Sequence, residues 1–173
     1  MCLVLDINAF HLVFGQHEPF KPVFDWLMTG RGKLVMGGSK YDEELAKMKK
    51  YLRLISLLKS SRKVVRADDM AVDQRTIEIV QACPDADFDD PHMVALLAVS
   101  GCKLFCSEDE RSYKYIKRKD WYTNGPPKIY RSKSFKAAKH LLSDRHMSSI
   151  CTPCTTLDKA QRETFAKACA LVQ

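Results

Sequence analysis

The chain is poor in the residues that punctuate or staple a fold. Its 173 residues include only 7 glycines and 7 prolines, which excludes collagen-like repeats and Gly/Pro-rich low-complexity sequence. It also lacks a long apolar run. The opening MCLVLDINAFHLVFG is apolar, but Asp6 interrupts it and no basic segment leads it, so neither a signal peptide nor a membrane helix is expected. A paired-cysteine pattern is missing too. The 7 cysteines are odd in number and scattered from position 2 to 169, which argues against a secreted disulfide framework and for a reducing cytosol. At 46% hydrophobic and 28% charged residues the composition is neither that of a disordered chain nor that of a coiled coil. The length suits one compact domain.

What is present is an alternation of short β-rich apolar runs with helical patterns, which predicts an α/β fold on a mainly parallel sheet. Strands are expected at 3–5, 33–36, 64–65 and 104–106, with a fifth at 128–130. Helices are expected at 20–28, 40–59, 72–81, from 91 onward, and at 157–171, with Ser39 capping the long second one. In that helix Tyr41, Leu45, Met48, Leu52 and Ile55 recur at helical spacing and form the buried stripe. Glu44 falls on the edge of the stripe, whereas Asp42 and Glu43 share a face with Lys47, Lys49, Lys50 and Arg53 and should pair with lysines there.

Four acids stand out. Asp6 directly follows the first strand, and Asp109 follows the fourth in Cys106-Ser107-Glu108-Asp109. Ligands of open α/β sheets bind beyond the carboxyl ends of the strands. Asp90 precedes Pro91 at a helix start, and Glu44 lies on the inner edge of its helix. Singly, each reads equally well as a cap, a turn former or a surface charge. Together they can converge on one cleft, where four ionised carboxylates would require a compensating cation. All-oxygen ligands without a matching His or Cys set suit Mg²⁺ or Mn²⁺.

These segments resemble the PIN-domain nucleases of bacterial, toxin-like type. LVLDINAF is similar to the family's first motif, Glu44-Leu45 to its second, and DDPHMVALLAVSGCKLFCSED at 89–109 to its third and fourth. The resemblance implies a three-layer α/β/α fold with a sheet of four to five strands over residues 1–145, and a segment 146–173 that packs on or extends it. It implies that Asp6, Glu44, Asp90 and Asp109 bind Mg²⁺ or Mn²⁺, with Asn8 and Ser107 as polar supports. Asp89 remains an alternative to Asp90, and Glu108 to Asp109. The implied activity is metal-dependent hydrolysis of RNA in the cytoplasm, by a toxin restrained by a protein antitoxin or by a processing or defence nuclease, with a homodimer as a further implication. A catalytically weak RNA- or protein-binding module is the non-enzymatic alternative. A haloacid-dehalogenase-like phosphohydrolase fits less well, because Asn8 stands where that family has a second aspartate.

Residues 111–147 carry 11 Lys/Arg against two acids, a local charge of +9 that exceeds the +7 of the whole chain. Lys114, Lys117, Arg118, Lys119, Trp121 and Arg131, with Lys40 elsewhere, are the expected nucleic-acid contacts, cations tracking phosphates and rings stacking on bases. Cys151-Thr152-Pro153-Cys154, preceded by His140 and His146, has a zinc site's ligand count but an irregular spacing, and loop residues are expected instead. Gly37-Gly38-Ser39-Lys40 lacks the spacing of a phosphate loop, and His92 is read as facing solvent.

Overall fold

In a computed structural model, residues 2–134, 136, 139–143, 148, 150–151 and 156–172 are described. Five strands form one parallel sheet in the order β3-β2-β1-β4-β5: β1 Cys2–Leu5, β2 Lys33–Met36, β3 Val64–Arg66, β4 Leu104–Cys106 and β5 Lys128–Tyr130. The helices are α1 Phe10–Phe14, α2 Lys21–Thr29, α3 Ser39–Lys47, α4 Leu52–Ser60, α5 Asp69–Ala82, α6 Pro91–Ser100, α7 Tyr113–Ile116 and α8 Lys159–Ala170. They flank the sheet in the expected three-layer α/β/α arrangement.

The three inner strands are buried along their whole length, as unbroken apolar runs in a doubly covered parallel sheet should be. α6 has no polar face: His92 through Leu97 are all buried, so it packs against α5 on one side and β1 on another. Its ends follow from sequence. Asp90 and Pro91 open it, and Gly101, at φ 61°, closes it in the left-handed conformation. The strand order reverses between β1 and β4, which leaves a crevice beyond their carboxyl ends.

The helix expected over 40–59 is broken in two. Met48 leaves the helical region with ψ 58°, and a 3-10 turn at Lys49–Tyr51 leads into α4. The break shifts the phase of the apolar stripe. Tyr51 turns inward against Phe10, with ring centroids 6.2 Å apart, and Leu54, Ile55 and Leu58 follow it into the core. Leu52, expected inside, is 46% exposed. The cap of α3 is Gly38 rather than Ser39. Carboxylates of α5 cap it from outside: Gly38 N–H donates to Asp69 Oδ1 (2.8 Å), Ser39 N–H to Asp73 Oδ1 (2.8 Å) and Ser39 Oγ to Asp73 Oδ2 (2.5 Å). Asp42 pairs with Arg66, not with a lysine. α5 begins before the expected Val72 because Asp68 accepts from Ala71 N–H. α1 and α7 were not expected at all.

Cys2 and Cys151 form a disulfide with Cα atoms 6.3 Å apart, joining the start of β1 to the C-terminal segment. One bridge is not a disulfide framework, but it counts against the reducing setting read from the scattered cysteines. The partners are 149 residues apart, so no local spacing announces them. It also removes Cys151 as a free zinc ligand, while Cys154 and His146 lie outside the described residues, as does the 145/146 boundary. Among the described residues no helix is long and apolar enough to cross a membrane.

Gly38 has φ 86°, and a Cβ there would stand 2.6 Å from Val72 Cγ1. Gly38→Ala should therefore lower the unfolding free energy by about 2–3 kcal/mol, combining left-handed strain with an overlap in the α3–α5 junction. Urea denaturation of the two proteins measures it.

Candidate functional site

Asp6 is the first residue beyond β1, and the pairing of Leu5 with Cys106 brings Ser107, the first residue beyond β4, beside it. Ser107 is fully buried and uses its hydroxyl twice. It donates to Asp6 Oδ2 at 2.5 Å and accepts from Asp109 N–H at 3.0 Å. Asn8 contributes through its backbone, N–H to Asp6 Oδ1 at 3.1 Å, while its side chain is exposed. Beneath them the Tyr41 hydroxyl donates to Leu5 O at 2.8 Å, fixing α3 against the end of β1. Asp6 is 6% exposed. Burial pushes its carboxyl above the ordinary range against the pull of Ser107 and Asn8, and the charges of Asp109 and Glu44 push the same way.

Asp90 caps α6 without a side-chain hydrogen bond to the helix. Burial raises its carboxyl to about 6; His92 opposes the shift, while Asp6, Glu44 and Asp109 add to it. The four acids singled out in the sequence therefore lie within one another's electrostatic reach at the β1/β4 crevice. The two alternatives are engaged at the rim or away from the site. Asp89 is exposed and meets Arg111 at 3.3 Å, and Glu108 accepts from Ser132 N–H and Oγ at 2.5 and 2.6 Å.

Two residues of this site escape a reading of the sequence. His92, expected in solvent, is 3% exposed, and its Nε2 lies 3.3 Å from Glu44 Oε2, off the hydrogen-bond direction. It holds the Glu44 carboxyl below the ordinary range. The signal was the absence of any polar face on α6, which leaves a histidine there nowhere to go but inward. Arg111 donates to Asp109 from its backbone N–H (3.0 Å) and from Nε (3.2 Å), and it also reaches Asp89. It is a cation built into the edge of the acidic cluster.

The donor set consists of carboxylate oxygens under mutual repulsion, the kind of ligand a hard divalent cation takes. The arrangement is not closed, however. Among the described residues no three His, Cys, Asp or Glu side chains stand together in metal-holding geometry.

The basic strip differs from expectation. Trp121, Tyr113 and Tyr115 are buried, and cations lie over their rings, Arg118 4.2 Å from the Trp121 centroid and Lys114 4.6 Å from that of Tyr115. Trp121 is thus core rather than a stacking platform. Five of the strip's 11 cations meet carboxylates in place: Arg111 meets Asp109 and Asp89, Lys114 meets Asp85, Arg118 meets Asp120, and Arg131 and Lys133 meet Glu110. Lys117 and Lys119 stay exposed, and Lys40 lies 4.0 Å from Glu43. The amides of Gly38 and Ser39 are taken by Asp69 and Asp73. No family model, curated protein or solved structure matches the chain.

An Asp that binds its proton more tightly when folded destabilises the fold once ionised. For Asp90 the penalty is absent below its unfolded value of 3.8 and fully present above about 6. Asp90→Asn, which keeps a good cap, should stabilise the protein in EDTA at pH 7 by about 1–2 kcal/mol, allowing for solvent screening. The gain should vanish below about pH 4; urea titrations at the two pH values measure both.

Proposed function

We propose that this chain is a metal-dependent ribonuclease of PIN type. The observation that carries the reading is the linkage of Asp6 and Asp109 through one buried hydroxyl, Ser107, at the crevice where the strand order reverses. The charge of Glu44 raises both the Asp6 and the Asp90 carboxyl. Structural carboxylates are normally paired with cations or turned to solvent. Here one is 6% exposed and held by a hydroxyl and an amide alone, an expensive arrangement unless a ligand uses it.

Asp6, Glu44, Asp90 and Asp109 would hold Mg²⁺ or Mn²⁺. When bound, such an ion makes hydroxide available from a coordinated water near neutral pH and neutralises charge on the phosphodiester. The chain's own residues do the rest. Ser107 and Asn8 N–H fix the direction of Asp6. His92 keeps Glu44 ionised, so its oxygens are available without a proton to displace. Asp90 retains a proton to higher pH than an ordinary carboxyl but is ionised near neutral pH, so its charge there lacks a compensating partner. Arg111, 72% exposed at the rim, can exchange Asp109 for a substrate phosphate, which a guanidinium binds through two donors. An RNA substrate, a protein inhibitor, a homodimer and a cytoplasmic setting belong to this reading.

A non-cleaving RNA-binding module is the second reading, favoured by the unclosed donor set. Cleavage of single-stranded and structured RNA in Mg²⁺ or Mn²⁺ separates the two. Asp6→Asn should slow cleavage at least about 100-fold, equivalent to about 2.7 kcal/mol of barrier, while RNA affinity changes little. EDTA should abolish cleavage. Equal rates for the variant and the parent would refute the nuclease; binding without any cleavage by the parent would favour the module.

A further inference from the structure

One group of cations without carboxylate partners lies away from the strip at 111–133. Among the described residues, Lys47, Lys49, Lys50 and Arg53 make no salt bridge, and all are exposed. They occupy the α3–α4 elbow created by the break at Met48. Lys47 stands one helical turn beyond Glu44, about 4.5 Å along the axis, and its charge already lowers the Glu44 carboxyl.

The elbow borders a cavity of about 380 Å³ lined by His11, Gly15, His17, Lys50, Tyr51 and Val172. Every polar side chain in that lining is a cation, an imidazole or a phenol; no carboxylate is among them. Gln16 at φ 55° reverses the chain after α1, so that the His17 ring returns beside His11, with centroids 6.0 Å apart and planes nearly perpendicular. Tyr51 forms the floor, and Lys50 Nζ lies 5.3 Å above its ring. Among the described residues this basin offers donors and no carboxylate, an environment suited to an anion of phosphate size.

We infer that the α3–α4 elbow and the His11–His17 cavity form the docking track for single-stranded RNA, with one backbone phosphate seated between His11, His17 and Lys50. That the polyanion is RNA rests on the ribonuclease reading. The location rests on the cavity and on the distribution of unpaired charge. The track and the acidic cluster are joined covalently at both sides, through the 7–10 segment after Asp6 and through the α3 turn after Glu44. The track thus begins one short segment of chain away from two of the four acids. Lys114, Arg118 and Arg131 are local counter-ions in this arrangement, not RNA contacts.

The test uses the full chain carrying Asp6→Asn, in Mg²⁺, with a fluorescein-labelled single-stranded RNA followed by anisotropy. Adding Lys47→Ala with Lys50→Ala, or His11→Ala with His17→Ala, should weaken binding about tenfold. The slope of log affinity against log salt should fall by about 0.7 for each RNA phosphate that the variant no longer neutralises. Lys117→Ala with Lys119→Ala should change affinity less than about twofold. All six positions are exposed, and unchanged thermal midpoints verify that the variants fold. Inorganic phosphate, titrated while the His11 and His17 ring protons are followed by NMR, should bind far more weakly than the RNA. The inference is overturned if the Asp6→Asn chain binds no RNA, if only the Lys117/Lys119 variant loses affinity, or if phosphate alone competes as well as the strand. RNA held on this track but never cut by the parent chain would defeat the nuclease reading and leave the docking surface standing.

Discussion

The hydrogen bond from Ser107 Oγ to Asp6 Oδ2, 2.5 Å long and wholly buried, is the interaction on which the rest of the site depends. It exists because β1 and β4 are adjacent although about a hundred residues apart in sequence, and because their parallel register ends both strands at the same level. Any slip would move Asp6 away from the hydroxyl and separate it from Asp109, whose amide the same oxygen accepts. The register is held by apolar burial: Val4 and Leu5 beside Phe105 and Cys106, all at or near zero exposure. The core thus sets the geometry of the polar site, and the site contributes little to holding the core.

That arrangement works against the fold. Two buried acids protonate too readily for their type, and the countercharges built into the chain are modest: His92 behind Glu44 and Arg111 at the rim of Asp109. A domain of this size keeps on the order of 5–15 kcal/mol of net stability, so one such penalty is tolerable and several are not. The helices around the crevice compensate by unusually complete burial, α6 above all, and by the cross-caps from Asp69 and Asp73 that hold α3 in place. A bound divalent cation would remove the repulsion at its source.

The sheet, its parallel sense and the places of the four acids on their elements were legible because each rests on a local pattern: an apolar triplet ending in Asp, an Asp-Pro helix start, an acid on the edge of a stripe. What was not legible depends on distant partners. The break at Met48 arises because Tyr51 finds Phe10, and helical periodicity carries no record of that pairing. Ser39 reads as a cap, but Asp73, 34 residues on, does the capping. The 111–147 strip shows its positive charge in sequence, while Asp85 and Glu110, two of the acids that meet it, lie before the strip begins. Charge counted along a chain is not charge on a surface, and a cluster of unquenched cations sits instead at the elbow after Glu44.

The proposed function requires the β1/β4 crevice to be a cation site completed from outside the chain. The most direct measurement is the thermal unfolding midpoint as Mn²⁺ is titrated into the metal-stripped protein, beside the Asp6→Asn/Asp90→Asn double variant. The account predicts a saturable rise of about 5–10 °C in the parent at ion concentrations near 100 times the dissociation constant, and none in the double variant. A midpoint that stays flat in both proteins, or rises equally in both, would contradict it.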